Sequence, residues 1–149
     1  MYTHILIADD GSTISKSGVE HGLSLAKALN AKASIVLVTR PFPMEGMVDV
    51  TGWVAGENDK IRYEASQKEF AETVFAEARK LAEKIGVKAD YVIASDHSPA
   101  EGIIETAKKL GSDVIVMASH GRRGVGRLLL GSQTAEVVQS TTLPVLVVR

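Results

Sequence analysis

Five short aliphatic runs, rich in β-branched residues, punctuate the chain: HILIA at 4–8, ASIVLV at 33–38, DYVIA at 90–94, DVIVMA at 113–118 and PVLVV at 144–148. Each is close to continuously apolar. A strand with one wet face would alternate, so these runs predict strands covered on both faces, as in a parallel sheet. Helical patterns lie between them. Strand and helix in alternation build βαβ units with right-handed crossovers, and hence a doubly wound α/β sandwich.

The helices have readable faces and ends. Val19, Gly22, Leu23, Ala26 and Leu29 follow helical spacing, and Asn30 can close that helix in a left-handed conformation. A longer helix carries Phe70, Val74, Ala78, Leu81 and Ile85 on one stripe and stops at Gly86. A third opens on Ser98, with Pro99 at its first position and Glu101 completing a capping box. Its inner face is Ile103, Ile104, Ala107 and Leu110, and Gly111 ends it. A fourth begins near Ser132 and runs through Ala135 and Val138 before Pro144 opens the last strand. Residues 40–60 have no period and read as a long irregular loop inside one domain, 1–149.

Composition narrows the function classes. The net charge is −1, so no global field gathers nucleic acid or an anionic membrane. Any anion must be held by local groups. The chain has no cysteine, which removes disulfides and thiolate metal sites and fits a reducing compartment. No apolar run reaches the ~20 residues of a membrane span. The segment MYTHILIADD lacks a basic stretch before a long apolar core, so no signal peptide is expected. The expectation is a cytoplasmic protein.

In open α/β sheets ligands bind beyond the carboxyl ends of the strands, where crossovers diverge. Two strand exits stand out: DDGS at 9–12 and SHGRRGVGRLLLGS at 119–132. The second is either a mobile surface loop or a backbone cradle for an anion. Glycine lets N–H groups approach phosphate, and a helix N-terminus adds partial positive charge. Arg122, Arg123 and Arg127 supply local cations, and Ser132 can cap the last helix or offer its hydroxyl to a phosphate.

Common phosphate motifs fail. GRLLLGSQ at 126–133 has Walker A glycine spacing, but Ser132 stands where the lysine belongs and Gln133 where the magnesium-binding hydroxyl belongs. Leu129 takes the third glycine position of a dinucleotide fingerprint, and DDGS lacks that fingerprint too. Of the two aspartates, Asp9 reads as a solvated turn residue, and Asp10 as a ligand contact or a cap for the first helix. His120 either touches a phosphate or bonds to nearby backbone. His4, His21 and His97 are scattered and argue no metal site. Trp53, with Met44 and Met47, reads as a lid, a partner surface or a disordered loop packing on its own domain. No general base with an orienting partner is evident, so no catalytic residue is named.

One longer pattern does fit. ASH at 118–120 precedes Gly121, nine residues follow, and then comes Gly131-Ser132. With DDGS, SPAEGI at 98–103 and TLPVLVVR at 142–149, the chain resembles the universal stress protein family along its whole length. The motif is G-x2-G-x9-G-[S/T], with Ala118 in place of its first glycine. The resemblance implies a five-stranded parallel sheet in the order 3-2-1-4-5, flanked by four helices. It implies ATP along the glycine loop: Gly121, Gly131 and Ser132 on phosphates, Asp10 beside the adenosine, Val38 lining the adenine and Ala8 under the base. Ala118, His120, Arg122 and Gln133 complete this set, with Mg2+ carried by ATP rather than by a protein cage. The last strand, 144–148, would be a sheet edge guarded only by Arg149, and members of the family commonly dimerise there.

The expected function is therefore a cytoplasmic ATP-binding regulatory protein, a dimeric switch read by a protein partner, with no role for nucleic acid or membrane. The alternative is a dimeric interaction module of the same fold that binds no nucleotide. A true ATPase or nucleotidyl transferase of related architecture would carry SGGxDS or HIGH signatures, and neither occurs.

Overall fold

The computed structural model describes residues 1–42, 52, 56–121 and 129–149. In chain order the elements are β1 (His4–Ala8), α1 (Thr13–Leu29), β2 (Lys32–Thr39), α2 (Glu57–Ile85), β3 (Ala89–Ser95), α3 (Pro99–Leu110), β4 (Val114–Ala118), α4 (Ser132–Ser140) and β5 (Val145–Val148). The strands form one parallel sheet in the order β3-β2-β1-β4-β5. This is the expected order, with β1 and β4 adjacent where the crossovers diverge.

Side chains of a strand point alternately to its two faces, so β1 feeds two cores. Ile5 and Ile7 pack with Leu23 of α1 and Val74 and Phe75 of α2. Leu6 packs on the other face with Ile103 of α3 and Val137 of α4. Burial on both faces explains the continuous apolar runs of the inner strands. The edge strands differ from that expectation. β3 and β5 touch both cores but are covered less completely, leaving Ile93 and Leu146 exposed, because each has a neighbouring strand along one edge only.

Helix ends follow the local chemistry. Asn30, Gly86 and Gly111 are left-handed, and their N–H groups return to the last carbonyls of their helices. Ser98 accepts the Glu101 N–H at 3.3 Å, but the reciprocal half of the capping box is made elsewhere. The Ser98 N–H donates to Asp96 Oδ1 at 3.0 Å, so Glu101 is not the partner expected for it. The α1 face is as expected except for its last member, and the α4 face lies one position earlier than expected. Leu29 is exposed at the end of α1, and in α4 the buried pair is Thr134 and Val137 while Val138 faces solvent. Helix α2 starts at Glu57, so the last residues of the 40–60 stretch are helical rather than irregular. Met44, Met47 and Trp53 lie outside the described residues.

Candidate functional site

The site is built at the exits of β1 and β4. After β1 the Asp9 N–H donates to the Val36 carbonyl at 2.9 Å, and the chain turns at Gly11, whose φ is +80°. Asp9 is buried and is not the solvated turn residue expected: its Oδ1 accepts the Gly11 N–H at 2.9 Å and the Ser15 hydroxyl at 2.7 Å. Ser12, not Asp10, caps α1, accepting the Ser15 N–H at 3.1 Å. Asp10 instead accepts the Ser12 N–H on Oδ1 at 2.9 Å, and its Oδ2 lies where a Cβ on Gly121 would meet it at 2.7 Å. The two aspartates therefore turn apart, one into α1 and the other towards the glycine loop.

Burial pushes the Asp9 carboxyl above its ordinary value of 3.8, overriding the bonds from Gly11 and Ser15. The folded state holds that proton more tightly than the unfolded chain. Its contribution to stability is then complete below the unfolded value and lost as pH rises through the folded one. Asp9→Asn keeps an Oδ1 acceptor and removes the charge. Its stability should match the unaltered protein in acid and exceed it increasingly from about pH 4 upwards, measured by urea unfolding. Curves that stay parallel across pH would show that Asp9 is ionised without cost.

At β4 the Ser119 N–H donates to the Val148 carbonyl at 2.7 Å, and the Ser119 carbonyl accepts the Gly131 N–H at 2.8 Å. This closes the loop at its base, bringing Gly121 and the start of α4 together. Arg122, Arg123 and Arg127 lie outside the described residues. Gly131 is the N-cap of α4, so Ser132 does not cap; it is the first helical residue, exposed at the cleft. The Thr134 hydroxyl donates to the Ala118 carbonyl at 2.9 Å, and Gln133 Oε1 accepts the Ala100 N–H at 3.0 Å. These two bonds brace the N-terminus of α4 against β4 and α3. The early N–H groups of a helix have no partner within it, and the first residues of α4 line the cleft.

His120 bonds through Nδ1 to the Ser119 hydroxyl at 3.0 Å, rather than to backbone. Gly121 and Gly131 are not in the left-handed region. What they provide is space: a Cβ on Gly131 would press on His120 Cα at 3.2 Å and the Ser119 carbonyl at 3.3 Å. Ala118 ends β4 in extended, sheet-paired backbone opposite Val148, a conformation in which alanine is unstrained.

The exits of β1 and β4 and the start of α4 meet in one cleft of about 750 Å³. Ala8 and Asp10 line it from β1, Val38 from β2, and Ala118, His120 and Gly121 from β4. Gly131, Ser132 and Gln133 line it from α4. The volume lies within the range of small-molecule sites. Its dimensions and its cluster of available donors suit a nucleotide. The sequence reading missed a further wall, Arg40 with Tyr63, Gln67 and Phe70 of α2. A signal for it existed, because the stripe of Phe70 and Val74 continues backwards at helical spacing through Gln67 and Tyr63.

Comparison with known proteins agrees with the architecture. The model of the universal stress protein family matches residues 1–149. Universal stress protein YxiE of Bacillus subtilis is 36% identical, with all of both chains covered. The solved structure of protein MJ0577 of Methanocaldococcus jannaschii superposes with a TM-score of 0.79 at 28% identity, over 99% of this chain and 96% of that one. A universal stress protein solved in complex with cAMP shares the fold, with a TM-score of 0.73 at 22% identity over 99% and 97% of the two chains. With the sheet order, the glycine spacing and a family match along the whole sequence in agreement, this chain belongs to the universal stress protein family.

Proposed function

We propose that the cleft binds a nucleotide, ATP with Mg2+, and that the protein is a cytoplasmic regulatory member of its family. It acts as a homodimer joined along β5, with cleft occupancy read by a protein partner. The observation that carries this reading is the convergence of Gly121, Gly131 and the N-terminus of α4 with Asp10 in one cleft of about 750 Å³. N–H groups at a helix start, approached without hindrance past two glycines, are a phosphate cradle. The relative solved with cAMP supports the choice of ligand class.

In this reading Gly121, Gly131 and Ser132 hold the phosphates, with Arg122 and His120 beside them. Ala118 completes the loop. Asp10 accepts hydrogen bonds from the ribose, and Ala8 and Val38 line the base. Gln133 contributes its N–H, its side-chain carbonyl being committed to α3. Mg2+ arrives on the phosphates, as it does where a protein supplies few ligands of its own. The free edge of β5, with Leu146 exposed, supports pairing with a second copy.

Calorimetric titration with Mg·ATP, with sedimentation of the same samples, tests both parts. Expected are a dissociation constant near micromolar, about 8 kcal/mol, and a dimer at micromolar protein concentration. No heat at any temperature tried, from a protein that sediments as a dimer, would favour the interaction module without nucleotide. A monomer would remove the role given to β5.

A further inference from the structure

Helix α2 is 29 residues long, about 43 Å at 1.5 Å per residue. Its fully buried residues begin only at Ala71. The part before Ala71 nevertheless has a half-buried stripe, Tyr63, Gln67 and Phe70, and all three line the cleft. Their spacing of four and then three places them on one helix face.

Two of the three are fixed in place. The Tyr63 hydroxyl donates to the Arg40 carbonyl at 2.9 Å, and its ring stands 5.5 Å from that of Phe42, just past the end of β2. Phe70 lies against Gly11 just past the end of β1: a Cβ there would come within 3.1 Å of its Cζ. Gln67 is held between these anchors, above the exits of β1 and β2. Its carboxamide has no hydrogen-bond partner among the described residues. Val38, Pro99 and Ile103 line the same cleft.

We propose that Tyr63, Gln67 and Phe70 form the nucleoside wall of the cleft, with the Gln67 carboxamide hydrogen-bonding the edge of adenine. This rests on the nucleotide reading above and adds to it a specificity residue from α2. The chemistry matches. A carboxamide offers one acceptor and two donors, the complement of the amino group and adjacent ring nitrogen of adenine, and glutamine pairs with adenine in this way in nucleic-acid recognition. Guanine presents a carbonyl where adenine has the amino group, so one amide orientation cannot serve both equally. The rings of Tyr63 and Phe70, one on each side of Gln67 along the helix, add apolar surface to the cleft lining.

Gln67→Leu tests the assignment, because residue 67 packs in neither core and its replacement leaves both cores intact. Unaltered and variant proteins are titrated with Mg·ATP, Mg·GTP and Mg·tripolyphosphate, and thermal unfolding is recorded for both. The expected result is ATP affinity weakened roughly tenfold, the loss of one or two hydrogen bonds. Tripolyphosphate affinity and melting temperature stay unchanged, and the preference for ATP over GTP shrinks. Unchanged ATP affinity would overturn the assignment while leaving nucleotide binding standing. An equal loss for all three ligands would also overturn it, since that is the signature of a distorted cleft. An unaltered protein that binds none of the three would overturn the nucleotide reading itself, and this inference with it.

Discussion

Gly22→Val is expected to lower the free energy of unfolding by about 3 kcal/mol and the melting temperature by about 10 °C. Gly22 sits on the buried face of α1, directly over β1. A Cβ placed there would lie 2.6 Å from Ile7 Cγ1 and 2.7 Å from its Cδ1, far inside ordinary contact. Ile7 is fully buried among Val19, Leu23 and Ile35, so it has nowhere to retreat. One turn earlier on the same face, Gly18 would bring a Cβ within 3.1 Å of the Ala118 backbone nitrogen. The helix is seated on two strands through this pair of glycines. Valine regains a few tenths of a kcal/mol in helix propensity over glycine, well short of the overpacking cost. Urea unfolding measures the loss, and Ile7→Val in the same chain should restore part of it, because the two side chains compete for one space. A Gly22→Val protein as stable as the unaltered one would mean that α1 does not sit this close to the sheet.

Much of this was legible because the apolar pattern and the turn chemistry agree. The run HILIA coincides with β1 residue for residue, and Asn30, Gly86 and Gly111 mark three helix ends where only a left-handed residue fits. Gly22 was visible as a helix-face residue, but not the reason a glycine stands there. That reason is the Ile7 side chain, a contact between distant positions that periodicity does not encode. The exposed residues of β3 and β5 were not legible in the apolar runs themselves: the family resemblance put β5 at a sheet edge, but a run of apolar residues does not say how far helices cover it. Asp9 was misread because two adjacent carboxylates in a turn resemble solvated charge. It is the Ser15 hydroxyl, one helical turn into α1, that lets Asp9 be buried. Within the cleft, the loop and the strand exits were readable from glycine spacing. The α2 wall was missed although its spacing was in the sequence, since Tyr63, Gln67 and Phe70 share a helix face without sharing a residue type.

Gly121→Val is expected to weaken Mg·ATP binding at least a hundredfold, close to 3 kcal/mol, with little change in melting temperature. The two readouts separate because of where the residue lies. Gly121 is exposed at the cleft and belongs to neither core, so a larger side chain there displaces no core residue. Its Cβ, however, would come within 2.7 Å of Asp10 Oδ2. Asp10 is short, and its other oxygen accepts the Ser12 N–H at 2.9 Å, so the carboxylate can yield only by giving up that bond at the cleft surface. In the proposed binding mode one added carbon therefore disturbs the ribose contact of Asp10, and the two methyl groups of valine also fill space on the phosphate's path to the start of α4. Gly121→Ala carries only the first of these effects and should bind about tenfold more weakly than the unaltered protein, a tenfold step being about 1.4 kcal/mol. The ordering glycine, alanine, valine is thus a measurement of how closely ligand, Asp10 and loop backbone approach one another. Calorimetry on the three proteins reads it directly. Valine binding within threefold of glycine would show that the phosphates do not pass this residue, and the site would have to be sought elsewhere than between β1 and β4. A graded loss at constant stability would tie the nucleotide to this crevice through a residue that has no side chain to offer, only its backbone and the space it leaves open.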